Sequence, residues 1–148
     1  MTESKSNPTA RPPLDAVRAA WLLAPPLIVM AVIFTLSAQP SLLPTHGFWE
    51  TLVRKSFHAF EYLVLTLCWV RALHGLRPAW AVAPIVTAAI GLTLLYACSD
   101  EFHQRFVTGR HGAPSDVAID AVGIAIAALA VMLYARRRSV GPSRPSAA

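Results

Sequence analysis

Apolar residues fall into four stretches along the chain, each close to the length that a membrane-spanning helix needs. A helix crosses the hydrocarbon core of a bilayer with about 20 mostly apolar residues. The stretches cover approximately residues 19–37, 56–70, 79–98 and 117–134. The second is short and is interrupted by His58 and Glu61, so basic side chains at its ends would have to reach the membrane surface. The pattern predicts four transmembrane helices.

The basic residues predict how these helices are oriented. Cytoplasmic segments of membrane proteins carry an excess of lysine and arginine. If both termini are cytoplasmic, the inner segments hold nine of the 13 basic residues, and the outer segments hold only Arg54, Lys55, Arg105 and Arg110. The opposite orientation would reverse this bias. We therefore expect an all-α, polytopic membrane bundle of about four transmembrane helices with both termini cytoplasmic.

The two ends of the chain differ in composition from its apolar middle. Both ends are rich in proline, serine and arginine, which is typical of disordered segments. No long linker or internal repeat divides the middle. The sequence predicts a disordered cytoplasmic tail over residues 1–17, a membrane domain over 18–135 and a basic disordered cytoplasmic tail over 136–148. The long polar segment before the first span favours a retained helix over a cleaved signal peptide.

Composition narrows the class of protein further. Of the 148 residues, 55% are apolar and only 14% are charged, whereas about a quarter of a soluble domain is charged. This excludes a disordered chain, a collagen-like chain and a disulfide scaffold. The net charge is +5, but the basic residues form no long face, so no nucleic-acid partner is expected. Cys68 and Cys98 fall at different depths, so we expect buried free thiols instead of a disulfide.

Polar residues collect toward the predicted outer face. Six of the eight acidic residues fall there, in three separate segments. Three stripes follow helical spacing: Lys55, His58, Glu61 and Tyr62 on the second span; Tyr96, Asp100 and Gln104 with His103 on the third; Asp116, Asp120, Gly123 and Ala127 on the fourth. Charges inside spans cost about 2.5–3.5 kcal/mol each on insertion scales and usually mark function. The stripes predict one polar site in the bundle interior near the outer leaflet.

A purely structural role is the alternative for part of this pattern. For His58, Glu61 and Asp120, a network of ion pairs and hydrogen bonds competes with a functional site. Aqueous loops carry charges in any case, so we expect ordinary solvated residues at Glu50, Arg105, His46 and His111. His74 is expected at the inner membrane interface.

The same residues carry a resemblance to a known family. Residues 54–63 read RKSFHAFEYL, and residues 99–112 read SDEFHQRFVTGRHG. These segments resemble the patterns RK-x-x-H-x-x-E-Y and DE-x-x-Q-x-F-x-x-x-R of the VanZ-like membrane protein family. Asp116, Asp120 and Gly123 resemble its D-x-x-x-N/D-x-x-G entry to the last helix, and FTLSAQP over residues 34–40 resembles the end of its first helix. The resemblance covers approximately residues 25–135.

The resemblance implies a small bundle of about four membrane helices in the bacterial cytoplasmic membrane. The member that names the family is associated with resistance to the glycopeptide teicoplanin, so a bearing on glycopeptide susceptibility is implied as well. No molecular activity is implied, and whether the chain is an enzyme stays open. Two positions depart from the family pattern: Thr108, where many members have proline, and Asp120, where asparagine is common.

One hypothesis for the site is a hydrolase or transferase that acts on an anionic envelope lipid or glycolipid. Imidazole titrates near neutrality, so His58 would serve as general base or nucleophile, oriented by Glu61 or Asp100. Arg110 and Lys55 would hold a phosphate. The candidate catalytic residues are His58, Glu61, Asp100 and Glu101, and the candidate ligand-binding residues are Arg54, Lys55, Tyr62, Gln104, Arg110, Asp116 and Asp120.

Three other hypotheses remain. The same groups would serve a non-enzymatic binder of an envelope lipid or of a partner protein. A divalent metal site would draw on His58, Glu61, Asp100, His103, Asp116 and Asp120, but nearby cations and the lack of a zinc spacing disfavour it, and no metal ligand is assigned. A proton-coupled transporter ranks lower because the inner halves of the spans are apolar. The sequence does not indicate a cofactor, the substrate or an oligomeric state.

Overall fold

The computed structural model of the chain describes residues 16–40, 47–110 and 114–139. Within these ranges there are four helices and no strand: α1 (Ala16–Ser37), α2 (Phe48–Leu76), α3 (Val82–Gln104) and α4 (Pro114–Ser139). All four are long and apolar enough to cross a membrane. The prediction of an all-α, multi-pass membrane bundle is confirmed. The predictions for residues 1–15 and 140–148, for His46 and for His111 lie outside the described residues.

Three helices are longer than their apolar stretches. α2 has 29 residues, where the sequence predicted a marginal span, because its polar side chains face neighbouring helices and do not end the helix. α3 continues past Cys98 to Gln104, as the polar stripe on this helix requires. α4 extends into the first four residues of the predicted tail and ends at Ser139. The arginines of its last turn interact favourably with the negative end of the helix dipole.

Successive helices run in opposite directions, which separates two chemically different ends of the bundle. The end of α1 meets the end of α3 where Ser37 contacts Asp100, and the starts of α2 and α4 meet where Lys55 contacts Asp116. We call this the polar end. The opposite end, here called the arginine end, holds Arg18, Arg71, Arg77, Arg136, Arg137 and Arg138. All acidic residues of the described ranges lie toward the polar end.

α2 and α4 are in close backbone contact at Gly123. A Cβ atom on this glycine would overlap the carbonyl oxygen of Ala59, so only glycine fits between the two backbones. Ala127, one turn further along α4, is also buried. The predicted pair of small residues therefore brings two helices into backbone contact.

The protein core is small, and much of the apolar surface faces outward. Ile33, Tyr62, Leu65, Ala97 and Ile124 form a buried cluster in the bundle. Large apolar side chains such as Leu27, Phe57 and Leu95 are more than half exposed, as expected where lipid covers the protein. The prediction of two buried thiols was wrong for Cys98: both cysteines are free, but Cys98 lies on the surface of the bundle.

Candidate functional site

The carboxylate of Asp100 is the centre of a buried hydrogen-bond network at the polar end. Its Oδ2 accepts hydrogen bonds from Ser37 Oγ at 2.8 Å, Gln104 Nε2 at 3.0 Å and the Tyr62 hydroxyl at 3.4 Å. These donors come from α1, α3 and α2, so one carboxylate joins three helices. The second oxygen, Oδ1, is buried and has no hydrogen-bond partner among the described residues. Asp100 and its donors form the part of the site that is most completely enclosed by protein.

Arg110 joins this network from the segment that follows α3. Its Nε and Nη2 donate to the carbonyl oxygens of Gln39 and Leu36, each at 3.0 Å, and its Nη1 donates to Gln104 Oε1 at 3.4 Å. The last carbonyl groups of a helix lack partners within the helix, and the planar guanidinium supplies donors at several angles. Arg110 therefore ties the end of α1 to the end of α3.

The position of Arg110 also couples it electrostatically to the candidate acids. Burial lowers the pKa of Arg110, and Arg54 lowers it further, while Asp100, Glu101 and Glu61 raise it. An arginine keeps its proton in proteins, so the guanidinium is a permanent cation beside these carboxyl groups. The sequence predicted a phosphate contact for Arg110. In the structure three of its nitrogens donate to the chain itself, which indicates a positioning role.

Replacing Arg110 by lysine should destabilise the protein even though the charge is kept. An ammonium group cannot reach three acceptors in the geometry of the guanidinium fork, so at least one helix-end carbonyl loses its donor. We expect a loss of about 2 kcal/mol in the free energy of unfolding, measured by denaturant titration in detergent micelles. Arg105→Lys, on an exposed neighbouring residue, is the matched control and should change little. Equal stability of the two variants would contradict the positioning role.

His58 faces two carboxyl groups where α2 meets α4. Its Nδ1 lies 3.9 Å from Glu61 Oε2 on the same helix and 3.9 Å from Asp120 Oδ1 on α4. Both distances exceed the length of a hydrogen bond. The Asp120 side chain is 4% exposed, and its Oδ1 has no hydrogen-bond partner among the described residues. The same imidazole nitrogen therefore faces carboxyl groups on two helices, close enough for a proton to pass between them after a small shift.

A small cavity opens beside His58. Its volume is about 20 Å³, which is room for about one water molecule. At the rim, Lys55 Nζ lies 3.2 Å from Asp116 Oδ1, and each side chain is a little over one third exposed. The cavity is lined by Arg54, Lys55, His58, Glu101, Gln104, Asp116, Ile119 and Asp120. Seven of these eight lining residues are polar or charged, although the cavity lies at the end of an apolar bundle.

All eleven predicted site residues lie at the polar end, in two groups that share Gln104. The network around Asp100 contains Tyr62, Gln104 and Arg110. The cavity group contains Arg54, Lys55, His58, Glu101, Gln104, Asp116 and Asp120, with Glu61 against His58. The structure thus brings together residues from separate segments, as the helical stripes predicted. The catalytic and binding roles assigned to them remain predictions.

Two residues of the predicted stripe on α3 point elsewhere. His103 packs against α1, with its ring centroid 4.5 Å from that of Phe34. The Tyr96 hydroxyl donates to the carbonyl oxygen of Met30 on α1. At about 100° per residue, Gln104 lies about 40° from Asp100 around the helix, while His103 lies about 60° away on the other side. That difference places His103 outside the network.

Sequence reasoning missed the contribution of α1 to the site. Ser37 Oγ makes the shortest hydrogen bond to Asp100, and two carbonyl groups near the end of α1 accept from Arg110. The sequence did contain one indication of this contribution: Ser37 places a hydroxyl at the outer end of an apolar span, at the same membrane depth as Asp100. Carbonyl acceptors have no signal of their own, since every residue carries one.

The metal hypothesis finds no geometric support. Within residues 16–40, 47–110 and 114–139, no three histidine, cysteine or acidic side chains are grouped so that they could hold a metal ion. His103 is turned toward Phe34, which removes one of the proposed ligands. The cations Lys55 and Arg110, placed beside Asp116 and Gln104, also oppose binding of a metal cation.

Comparison with known proteins identifies the family. A family model described as VanZ/LLP1 matches residues 14–135, which contain every predicted site residue. No curated protein and no solved structure matches the chain. The match covers most of the 148 residues and agrees with the motifs on α2, on α3 and at the start of α4. The chain, whose described residues form four helices apolar enough to span a membrane, therefore belongs to the VanZ/LLP1 family.

Proposed function

We propose that this protein recognises the head group of an anionic envelope lipid or glycolipid at its polar end and that His58 carries acid–base chemistry on it. The observation that supports this most directly is the position of His58. Its Nδ1 lies 3.9 Å from each of two carboxyl groups, at the wall of a cavity rimmed by two cations, Arg54 and Lys55. Charged groups placed inside a membrane span are costly and usually serve a function.

Arg54 is the leading candidate for contact with the anionic head group. Lys55 is paired with Asp116, and Arg110 donates to the chain itself. Arg54 lines the cavity, and no hydrogen bond or ion pair joins it to the described side chains. A guanidinium binds phosphate or carboxylate oxygens through two parallel hydrogen bonds. The head group is therefore expected at the cavity mouth beside Arg54, with Lys55 as a second cation.

The size of the cavity determines how such a lipid would bind. About 20 Å³ admits one water molecule or one oxygen of the head group, so the rest of the head group would lie at the mouth. An apolar groove of about 350 Å³ runs along α2 and is lined by Trp49, Leu52, Val53, Ser56, Phe57 and Phe60. At about 100° per residue, this groove lies on the face of α2 that points away from His58, so it does not continue the cavity. The chain of the lipid would instead lie against the exposed apolar side chains of the bundle.

The chemistry proposed for His58 is proton transfer during hydrolysis or group transfer. His58 would accept the proton of an attacking hydroxyl as its oxygen bonds to the reacting phosphorus or carbonyl carbon. The bond from that phosphorus or carbon to the leaving-group oxygen would then break, and the same proton would pass from His58 to this oxygen. Glu61 and Asp120 would stabilise the imidazolium formed in between. A general base of this kind contributes about 10²–10⁴-fold to a rate.

The arginine distribution supports placing the polar end outside the cell. Six arginines and no acidic residue of the described ranges lie at the opposite end, which favours the cytoplasm for that end. We place the protein in the bacterial cytoplasmic membrane with both termini inside. The site then faces the side on which cell-wall precursors and lipid-linked glycans are assembled. Binding or changing such a lipid would alter susceptibility to glycopeptides such as teicoplanin.

Non-enzymatic binding is the second candidate function, and the small cavity favours it. A site that admits one oxygen atom can recognise a head group without enclosing the bond to be broken. Susceptibility would then change through occupancy of the lipid and not through turnover. This candidate keeps the role of Arg54 but assigns His58 to recognition.

His58→Asn tests the proposal, with His74→Asn on the same helix as the matched control. The proteins are reconstituted in nanodiscs of bacterial lipid extract, and lipids are followed by mass spectrometry. The parent should retain anionic lipid and convert it; His58→Asn should keep the lipid and lose at least 100-fold in conversion. His74→Asn should convert lipid as fast as the parent does.

Other outcomes separate the alternatives. Retained lipid that the parent does not convert and that Arg54→Gln no longer retains identifies a binder at the polar end and contradicts catalysis. Loss of the folded His58→Asn protein from the membrane would show that His58 is structural. Absence of anionic lipid from the parent would contradict both forms of the proposal.

A further inference from the structure

The arginine end contains a second cavity, which the proposed site at the polar end does not explain. It is a groove of about 770 Å³ between α2, α3 and α4. Small-molecule sites in proteins commonly occupy about 300–1,000 Å³. Its walls are apolar and include Leu67, Val70, Val82, Ile85, Val131 and Tyr134. We call it the inner groove.

Two arginines and a histidine lie at one end of the inner groove. Arg71, His74 and Arg138 all line it, and all three are exposed. The Arg138 guanidinium lies 4.8 Å from the centroid of the Tyr134 ring, so it is held against the groove wall. No acidic residue of the described ranges lies at this end of the bundle to neutralise these charges. The groove therefore presents positive charge beside an apolar channel.

The start of α3 adds hydrogen-bond donors at the same place. Ala81 provides no side-chain cap for this helix, and no acidic residue lies in its first turn. The first N–H groups of a helix need partners and favour anions. Val82, the first residue of α3, lines the inner groove. An anionic group beside Arg71 and Arg138 would thus also lie near a helix N-terminus.

The length of the groove suits a chain that enters from the membrane surface. Its lining runs from His74 to Leu67 on α2 and from Ser139 to Ala130 on α4. At 1.5 Å per residue these distances are about 10 Å and about 13 Å. A ligand with one anionic end and one apolar tail fits the change from charged mouth to apolar wall along this length.

From this juxtaposition we infer that the inner groove binds an anionic phospholipid, with one acyl chain between α2 and α4 and the phosphate held by Arg71 and Arg138. This lipid is distinct from the one proposed at the polar end, because the two sites lie at opposite ends of the bundle. It is a bound lipid that fills the gap between helices and is not a substrate. The groove would select this lipid by its charge, because each basic residue at a membrane surface favours an anionic lipid over a neutral one by about five-fold.

A second copy of the chain fits the inner groove less well. In a two-fold symmetric dimer the same surface faces itself, so the arginines of one copy would approach those of the other. The described residues of this surface offer no acidic partner for them. A phospholipid satisfies both the charge and the apolar wall.

The test measures which lipids the full-length protein retains. The protein is reconstituted in nanodiscs of equal parts palmitoyl-oleoyl phosphatidylglycerol and palmitoyl-oleoyl phosphatidylcholine, and retained lipid is counted by native mass spectrometry. The parent should retain phosphatidylglycerol in preference to phosphatidylcholine. Arg71→Gln and Arg138→Gln should each reduce this preference about five-fold. Arg137→Gln, next to Arg138 but outside the groove lining, is the matched control and should keep it.

A groove-filling variant separates the groove from the general charge of this end. Ala130→Phe should reduce retention of both lipids, since the new ring occupies the channel while all arginines remain. Four results would overturn the inference: no lipid preference in the parent, an equal effect of Arg137→Gln, unchanged retention by Ala130→Phe, or a dimer in place of bound lipid. Because none of these variants touches His58 or Arg54, failure here is distinguishable from failure at the polar end.

Discussion

Replacing Gly123 by alanine should destabilise the bundle more than the same replacement at either of the other two helical glycines, Gly75 and Gly91. The added Cβ would overlap the carbonyl oxygen of Ala59, and a backbone atom cannot move aside as a flexible side chain can. Only separation of α2 from α4 relieves the overlap. We expect a loss of about 3 kcal/mol in the free energy of unfolding, measured by denaturant titration of the purified protein in mixed micelles.

Two other glycines give an internal scale for this result. At Gly75 a Cβ would approach the end of the Leu22 side chain, which can rotate away, so Gly75→Ala should cost less. At Gly91 nothing lies within 4 Å, and alanine favours a helix over glycine by about 1 kcal/mol, so Gly91→Ala should be neutral or stabilising. Equal stability of Gly123→Ala and Gly91→Ala would contradict the close backbone contact between α2 and α4.

Replacing Asp100 by alanine should have an effect of similar size. The substitution removes the acceptor of three hydrogen bonds and leaves the donors of Ser37, Tyr62 and Gln104 buried without it. Each buried polar group left without a partner costs about 1 kcal/mol or more, so we expect a loss of about 3 kcal/mol in the free energy of unfolding. The same titration measures it.

The control for Asp100 is its neighbour in sequence. Ser99 is exposed and donates only to the carbonyl of Tyr96 on its own helix, so Ser99→Ala should change stability little. Asp100→Asn keeps one carbonyl oxygen as an acceptor, so its loss of stability should lie between those of Asp100→Ala and Ser99→Ala. Parent-like stability of Asp100→Ala would show that the network does not hold the three helices together.

The two groups of the site are expected to have different roles: the Asp100 network stabilises the bundle, and the cavity group around His58 carries the proposed chemistry. The Asp100 network joins helices, so its variants lose structure and report poorly on function. His58 makes no hydrogen bond to a described residue; its nearest charged partners are 3.9 Å away. A variant of His58 can therefore lose chemistry while the bundle remains folded, which makes it the more informative functional probe.

The number and type of elements could be predicted from the sequence because the bilayer fixes the length of a span. Four apolar stretches in 148 residues permit few arrangements other than a four-helix bundle. Convergence of the polar stripes was also predictable: alternating directions bring the end of one helix beside the start of the next. His58, Asp100 and Asp120 thus had to lie near the same end.

The direction of each polar side chain was not predictable. The sequence assigned Arg110 to a ligand, and this role stays a prediction; the structure adds that its guanidinium donates to the carbonyl groups of Leu36 and Gln39 near the end of α1. His103 was expected beside Asp100, but the phase of α3 places it against Phe34. Such choices depend on differences of tens of degrees around a helix and on neighbours that are distant in sequence.

The sequence by itself determined that this chain has four stretches able to span a membrane and that most of its acidic residues gather toward one end, while most of its arginines lie toward the other. Those properties follow from hydrocarbon thickness and from the order of residues along each helix. Only the tertiary structure decided that Asp100 has three donors and that an apolar groove lies between cations. Both depend on how the helices tilt and approach, and packing between helices sets that tilt after the spans are fixed.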